Sequence, residues 1–167
     1  LVGQEGRIDL VIPRGGEALI RRVTERSRVP VIKHYKGVCH LYVDASADLG
    51  MAVKVVVNSK VQRPGVCNAL EKLLVHADVA AAFLPALRDA MPQVELRGCP
   101  RTLAILPGTK AATEADWSEE YLDLVLAVRV VDGCDEACSL IERYGSNHTD
   151  GILASDAATI ERFVSSV

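Results

Sequence analysis

Apolar runs and helix-period patterns take turns along this chain. Residues 124–131 are nearly all apolar, and residues 73–75 form a shorter run. The longer run suits a strand covered on both faces, and the shorter one reads as a strand. Residues 8–12 end at Pro13 and read as a buried strand. Residues 29–32 and 38–43 read as two strands around a turn at Gly37, with weaker candidates at 94–96 and 151–153. Between them lie helical patterns. Gly15 and Gly16 open one carrying Leu19, Ile20 and Val23. Ser46 is expected as the N-cap of the next, with Asp48 in its first turn and Leu49, Val53, Val56 and Val57 inward. Asp78 is expected to cap a third, with Val79, Ala82, Phe83, Ala86, Leu87 and Ala90 on one face and Pro85 interrupting it. Asp132 caps a fourth with Ala137, Leu140, Ile141 and Tyr144 inward and Gly145 as its stop. Ser155 caps a last one with Ile160, Phe163, Val164 and Val167. Residues 98–118 read as mixed loop and short helix. This alternation predicts an α/β fold, a three-layer sandwich on a largely parallel sheet.

Composition narrows the picture. The chain has 167 residues, 49% of them apolar, enough for a sizeable core. Its net charge of −3 and the lack of a long basic run speak against nucleic acid as a partner. Arg21, Arg22, Arg26 and Arg28 read as a solvated face. No run approaches the ~18 to 20 apolar residues of a membrane span, and the first residues show no signal-peptide pattern. Five cysteines, Cys39, Cys67, Cys99, Cys134 and Cys138, lack C-x-x-C spacing, which argues against a disulfide framework or a zinc ribbon and fits a reducing cytoplasm. Cys134 and Cys138 read as small apolar packers. With no initiator Met and no stop after its last helix, the chain reads as a piece of a longer protein. No G-x-G-x-x-G fingerprint occurs in it.

The chemistry concentrates in residues 58–71. A helix pattern ends near Asn58, and a polar loop with Lys60 and Arg63 is stiffened by Pro64 and Gly65. Cys67 stands where that loop meets an apolar run. Nearby cations and free backbone N–H groups favour the nucleophilic thiolate. The bland alternative is an inert packed thiol, the usual state of free cysteine. Arg63 suits a carboxylate or phosphate, which a guanidinium binds through two donors. His40, inside a strand pattern, reads as a satisfied core histidine.

Five blocks carry a resemblance. They are Ile12-Pro13-Arg14-Gly15-Gly16, the stretch from Pro30-Val31-Ile32 through Gly37-Val38-Cys39-His40-Leu41-Tyr42-Val43-Asp44, residues 58–74, Glu119-Glu120-Tyr121-Leu122-Asp123-Leu124, and Tyr144-Gly145-Ser146-Asn147-His148-Thr149-Asp150. In order and over nearly the whole chain, they resemble the gamma-glutamyl phosphate reductase family (glutamate-5-semialdehyde dehydrogenases) of the aldehyde dehydrogenase superfamily. The resemblance implies an aldehyde-dehydrogenase-like catalytic domain over residues 15–167. Residues 1–14 would be the end of a dinucleotide-binding domain or an inter-domain strand.

It also implies a reaction. NADPH reduces L-glutamyl 5-phosphate to L-glutamate 5-semialdehyde, phosphate leaves, and proline synthesis uses the product. Cys67 matches the family's nucleophile, which forms a thioester, and its N–H would help bind the oxyanion. Glu120 matches the glutamate that binds the nicotinamide ribose, the alternative being a surface carboxylate before a strand. Asn58, Lys60, Arg63, Asn68, Glu71 and His148 lie in matching blocks and are expected at the substrate. For His148, a strut in its loop is an equal alternative. The implied partners are a glutamate kinase passing on the acyl phosphate and further copies of the full-length enzyme; no metal is implied. Pro13 stands where hydrolytic relatives place a general-base glutamate, so the reading favours reduction over oxidation to an acid. The rivals are an acylating enzyme using coenzyme A, the reductase half of a bifunctional synthase, and a non-catalytic domain of the same fold.

Overall fold

Six strands, all parallel, organise residues 37–167 in the computed structural model, which describes residues 2–167. They are β1 (Cys39–Val43), β2 (Leu70–His76), β3 (Glu95–Gly98), β4 (Lys110–Ala111), β5 (Val125–Val131) and β6 (Asp150–Leu153). Their order across the sheet is β4-β3-β5-β2-β1-β6. The apolar run expected to be covered on both faces is β5, and it pairs at the centre with β2, which contains the strand expected at 73–75. Parallel neighbours need crossovers. Helices α2 (Leu49–Val61), α3 (Ala77–Ala90), α4 (Pro100–Ile105) and α5 (Cys134–Tyr144) lie in the connections between strands; α1 (Glu17–Arg26) precedes β1 and α6 (Ala157–Ser166) follows β6.

Successive strand residues face opposite ways, and the core divides accordingly. Leu73 and Val75 of β2 pack in one cluster with Ala52 and Val56 of α2 and with Phe83, Leu84 and Leu87 of α3. Leu74 packs in the other with Tyr42, Val131, Ala137, Ile141 and Phe163, hence with α5 and α6. The result is the expected three-layer sandwich. Each fully buried Leu or Phe contributes about 1.5 to 3 kcal/mol of hydrophobic stabilisation. Cys134 and Cys138 are half-buried against the second cluster, as small packers. Among the described residues no group of side chains suits a metal ion, and no helix is long and apolar enough to cross a membrane.

Several caps differ from expectation by one or two residues. Asp48, not Ser46, caps α2 by accepting from the Met51 N–H at 2.8 Å. The Ser46 hydroxyl is occupied elsewhere: it donates to Asp44 and accepts the N–H groups of Ser155 and Asp156. The Ser155 hydroxyl is likewise taken, donating to the Ser46 carbonyl, and Asp156, not Ser155, caps α6. His76 rather than Asp78 caps α3, its ring Nδ1 accepting from the Asp78 N–H. Gly133 rather than Asp132 precedes α5. Pro85 lies inside α3, which continues through it.

Residues 2–36 form a separate unit containing α1. The two strands expected here reduce to one parallel bridge between Val11 and Val31. The Val11 N–H donates to the Pro30 carbonyl and the Ile32 N–H to the Val11 carbonyl. Pro13 has no N–H with which to extend that ladder. Leu10, Ile12 and Ile32 are exposed rather than buried. Arg21, Arg22, Arg26 and Arg28 are exposed as expected, and Arg21 pairs with Glu17 one turn away.

Candidate active site

The helix α2 ends at Val61, and residues 62–69 lead the chain to the amino end of β2. The Val66 N–H closes on the Arg63 carbonyl and the Ala69 N–H on the Val66 carbonyl. Cys67 and Asn68 are therefore the two central residues of a tight turn, and both are exposed. Of the five thiols only Cys67 is exposed; Cys39 and Cys99 are buried, Cys134 and Cys138 half-buried. Ligand crevices of open parallel sheets usually lie at the carboxyl ends of strands. Here the segments entering β1, β2, β5 and β6 meet at the amino ends instead.

Residues 37–39 form the floor of the turn. A Cβ on Gly37 would stand 1.8 Å from the Cys67 carbonyl oxygen and 2.7 Å from its carbon, so only glycine permits this approach. The Gly37 N–H donates to Glu120 Oε1 at 2.7 Å. The Cys39 thiol donates to the Cys67 carbonyl at 3.2 Å. Burial first, then the charge of Asp150, pushes the Cys39 thiol up to about 12, so it keeps the proton it donates. His148 Nδ1 lies 2.8 Å from the Thr149 hydroxyl and 3.9 Å from Cys39 Sγ. The Val38 N–H is held by the Ser146 hydroxyl at 2.9 Å. His40 is buried between the Val38 carbonyl and Asp150, the satisfied core histidine expected.

A buried charge cluster lies behind the turn. The Lys60, Glu71 and Lys72 side chains are sealed from solvent. Lys60 Nζ is 3.5 Å from Glu71 Oε1, an ion pair too long for a well-formed hydrogen bond. Burial lowers the Lys60 ammonium and raises the Glu71 carboxyl, each opposed by the attraction of its partner. Glu71 accepts the N–H groups of Tyr121 and Leu122, both at 3.2 Å. Lys72 Nζ donates to the Glu119 carbonyl at 2.6 Å and lies 4.2 Å from the centre of the Tyr121 ring. Burial lowers Lys72 to about 8 despite the neighbouring Glu71. Leu122 holds the left-handed conformation at φ 52°, which costs a non-glycine residue about 1 to 3 kcal/mol.

Of the expected site residues, the structure thus joins Glu120 to the Cys67 turn through Gly37, and His148 to it through Cys39. Asn68 adjoins the thiol. Asn58 and Arg63 are exposed near the loop's start. Lys60 and Glu71 face each other inside the protein and present no atom to solvent. Gly37, Cys39 and Lys72 carry contacts to which the sequence reading assigned no role. Gly37 was legible only as a turn and Cys39 only as part of a strand. Nothing in a single sequence marks Lys72 as buried.

Exposure makes a direct prediction. Iodoacetamide should modify Cys67 fastest of the five thiols, by about tenfold or more over Cys39, because the thiolate is the reactive form and burial holds Cys39 protonated. Peptide mapping over time checks this. Faster labelling of Cys39 or Cys134 would remove Cys67 as the nucleophile.

A parallel α/β/α sandwich with an exposed thiol on a turn at the amino end of a central strand defines the class. The chain belongs to the aldehyde dehydrogenase family, whose sequence model matches residues 2–102. A gamma-glutamyl phosphate reductase of Geotalea daltonii is 58% identical over all of this chain, which spans 40% of that relative's length. A crystal structure of the gamma-glutamyl phosphate reductase of Thermotoga maritima superposes with a TM-score of 0.94 at 45% identity, covering 99% of this chain and 41% of that one. An engineered glycolyl-CoA reductase solved with bound NADP+ shares the fold alone, with a TM-score of 0.69 at 15% identity, over 96% of this chain and 45% of the other.

Proposed function

We propose that this chain is the thiol-bearing part of a cytoplasmic gamma-glutamyl phosphate reductase, which reduces L-glutamyl 5-phosphate to L-glutamate 5-semialdehyde for proline synthesis. The observation that carries the reading is the exposed Cys67 on a turn whose carbonyl packs on Gly37 and accepts from the Cys39 thiol, in a chain 58% identical to a reductase of that name. Cys67 Sγ attacks the acyl carbon as thiolate. A C–S bond forms, the carbon–oxygen bond to phosphate breaks, and phosphate departs with the electron pair. The thiol proton is lost to solvent or to the departing phosphate. A carboxylate has no such leaving group, so the acyl phosphate and then the thioester divide a hard reduction into easier steps.

The Cys67 and Asn68 N–H groups have no hydrogen-bond partner among the described residues and are suited to the oxyanion that develops on the acyl oxygen. Arg63, Asn58 and His148 border the turn and are assigned to the substrate's charged groups. Lys60 and Glu71 act from inside, on the loops. A nicotinamide coenzyme, NADPH in this reading, supplies a hydride when bound. Glu120 fits its ribose: Oε1 is fixed by the Gly37 N–H, and Oε2 is left for a hydroxyl donor. The engineered reductase of the same fold that holds NADP+ supports this choice. A glutamate kinase supplies the acyl phosphate, and the whole enzyme works as a homo-oligomer.

The reading favours reduction over hydrolysis of the thioester, and that preference supplies the test. General-base help is worth about 10² to 10⁴ in rate. The full-length enzyme, treated with acetyl phosphate and no coenzyme, should accumulate an acyl adduct on Cys67 that intact-mass measurement follows for minutes. Rapid loss of the adduct in plain buffer would show that another residue activates water, and the reading would change to an oxidising dehydrogenase.

A further inference from the structure

Glu71 and Lys72 are consecutive, fully buried and charged, yet they lie too deep to meet a substrate. Buried charges are rare unless paired, and the contacts of these two converge on one loop. Pairing between β1 and β2 slips at its start: Cys39 stands opposite Leu70 and His40 opposite Lys72, so Glu71 has no partner across the sheet. A bulge of this kind re-aims a side chain. The Glu71 carboxylate consequently reaches the N–H groups of Tyr121 and Leu122, while Lys72 reaches the Glu119 carbonyl and the Tyr121 ring. Residues on both sides of Glu120 are clamped. Asp116 holds the same loop from the far side, accepting the Tyr121 hydroxyl at 2.7 Å while paired with Arg97. Glu120 itself bonds to Gly37, which touches the Cys67 carbonyl.

We propose that Glu71 and Lys72 are positioning residues that fix Glu120 for the coenzyme and tie its loop to the nucleophile's strand. This rests on the reading of Glu120 given above. Because β2 begins three residues after Cys67, one strand thereby sets both the thiol's turn and the carboxylate's loop. The clamp acts on coenzyme binding more than on thiol attack, since neither side chain touches Cys67.

The test uses the full-length enzyme and Lys72→Met, which keeps the length of the side chain and removes one buried cation while Glu71 keeps Lys60 as its ion-pair partner. Removing a member of a buried charge set costs stability, so the variant is assayed well below its melting temperature. NADPH affinity, read from coenzyme fluorescence, should weaken about tenfold, the scale of losing a charge-assisted hydrogen bond. The coenzyme-free burst of phosphate from acetyl phosphate should stay within about twofold. Amide exchange at Tyr121 and Leu122 should speed up by about tenfold or more. Unchanged affinity, or an equal loss of affinity and burst, would overturn the proposal, the latter by showing mere loss of structure. A wild-type enzyme without a phosphate burst would count against the reductase reading instead. Amide exchange needs neither substrate nor coenzyme, and unchanged exchange in Lys72→Met would overturn the clamp on its own. Glu71→Gln, which keeps volume and one acceptor oxygen, should give a smaller change in the same direction; an effect confined to melting temperature would also overturn it.

Discussion

Cys67→Ala in the full-length enzyme is expected, on the proposed reading, to lower kcat/KM by about 10⁴-fold or more, because covalent catalysis would disappear along with the thiol. Melting temperature should barely move. Cys67 is exposed and supports the fold through its backbone carbonyl, which alanine retains; exposed substitutions of this kind stay within about 0.5 kcal/mol. Steady-state kinetics with NADPH, beside a thermal melt, make the measurement. A variant keeping a tenth of the activity would end the assignment of Cys67 as nucleophile.

Gly37→Ala should be the most damaging change that touches no reacting group. The added methyl would fall 1.8 Å from the Cys67 carbonyl oxygen, which is backbone and cannot rotate away. Either the turn or the start of β1 must shift by about 1 Å, and a shift of that size costs about 10²-fold in rate. Overpacking should also cost about 1 to 3 kcal/mol of stability. The shift pulls the Gly37 N–H from Glu120, so NADPH affinity should fall together with kcat. Wild-type kinetics in Gly37→Ala would mean that the approach is loose enough to yield.

Local patterns served well where one force decides the outcome. At the centre of the sheet, β5 was legible because burial on both faces demands a continuous apolar run, and β2 only over residues 73–75, because Glu71 and Lys72 interrupt the pattern at its start. Helices α2, α3, α5 and α6 showed in their spacing. Caps were harder, because Ser46 and Asp48, or Ser155 and Asp156, compete within three residues, and the winner depends on what the other hydroxyl meets across space. The strands expected before residue 37 failed for a different reason. An apolar run forms a ladder only if a partner accepts it, and prolines 13 and 30 leave room for a single bridge. In the site, Cys67, Glu120 and His148 were singled out through matching blocks, and the structure links the last two to the turn that carries the thiol. The buried set of Lys60, Glu71 and Lys72 was beyond reach, since charge reads as surface until its partners are known. A substrate role was expected for Lys60 and Glu71, whereas both side chains are sealed inside.

The strand order places the last strand, β6, against the first, β1. Protein synthesis therefore completes this site late. Cys67 is made 53 residues before Glu120 and 83 before the start of β6 at Asp150. At about 5 to 20 residues per second, the ribosome needs roughly 4 to 17 s to deliver the segment holding Ser146, His148 and Thr149. Through that interval the nascent chain carries the thiol with its turn unfinished on one side, and any helper that guards it must act during translation rather than after it.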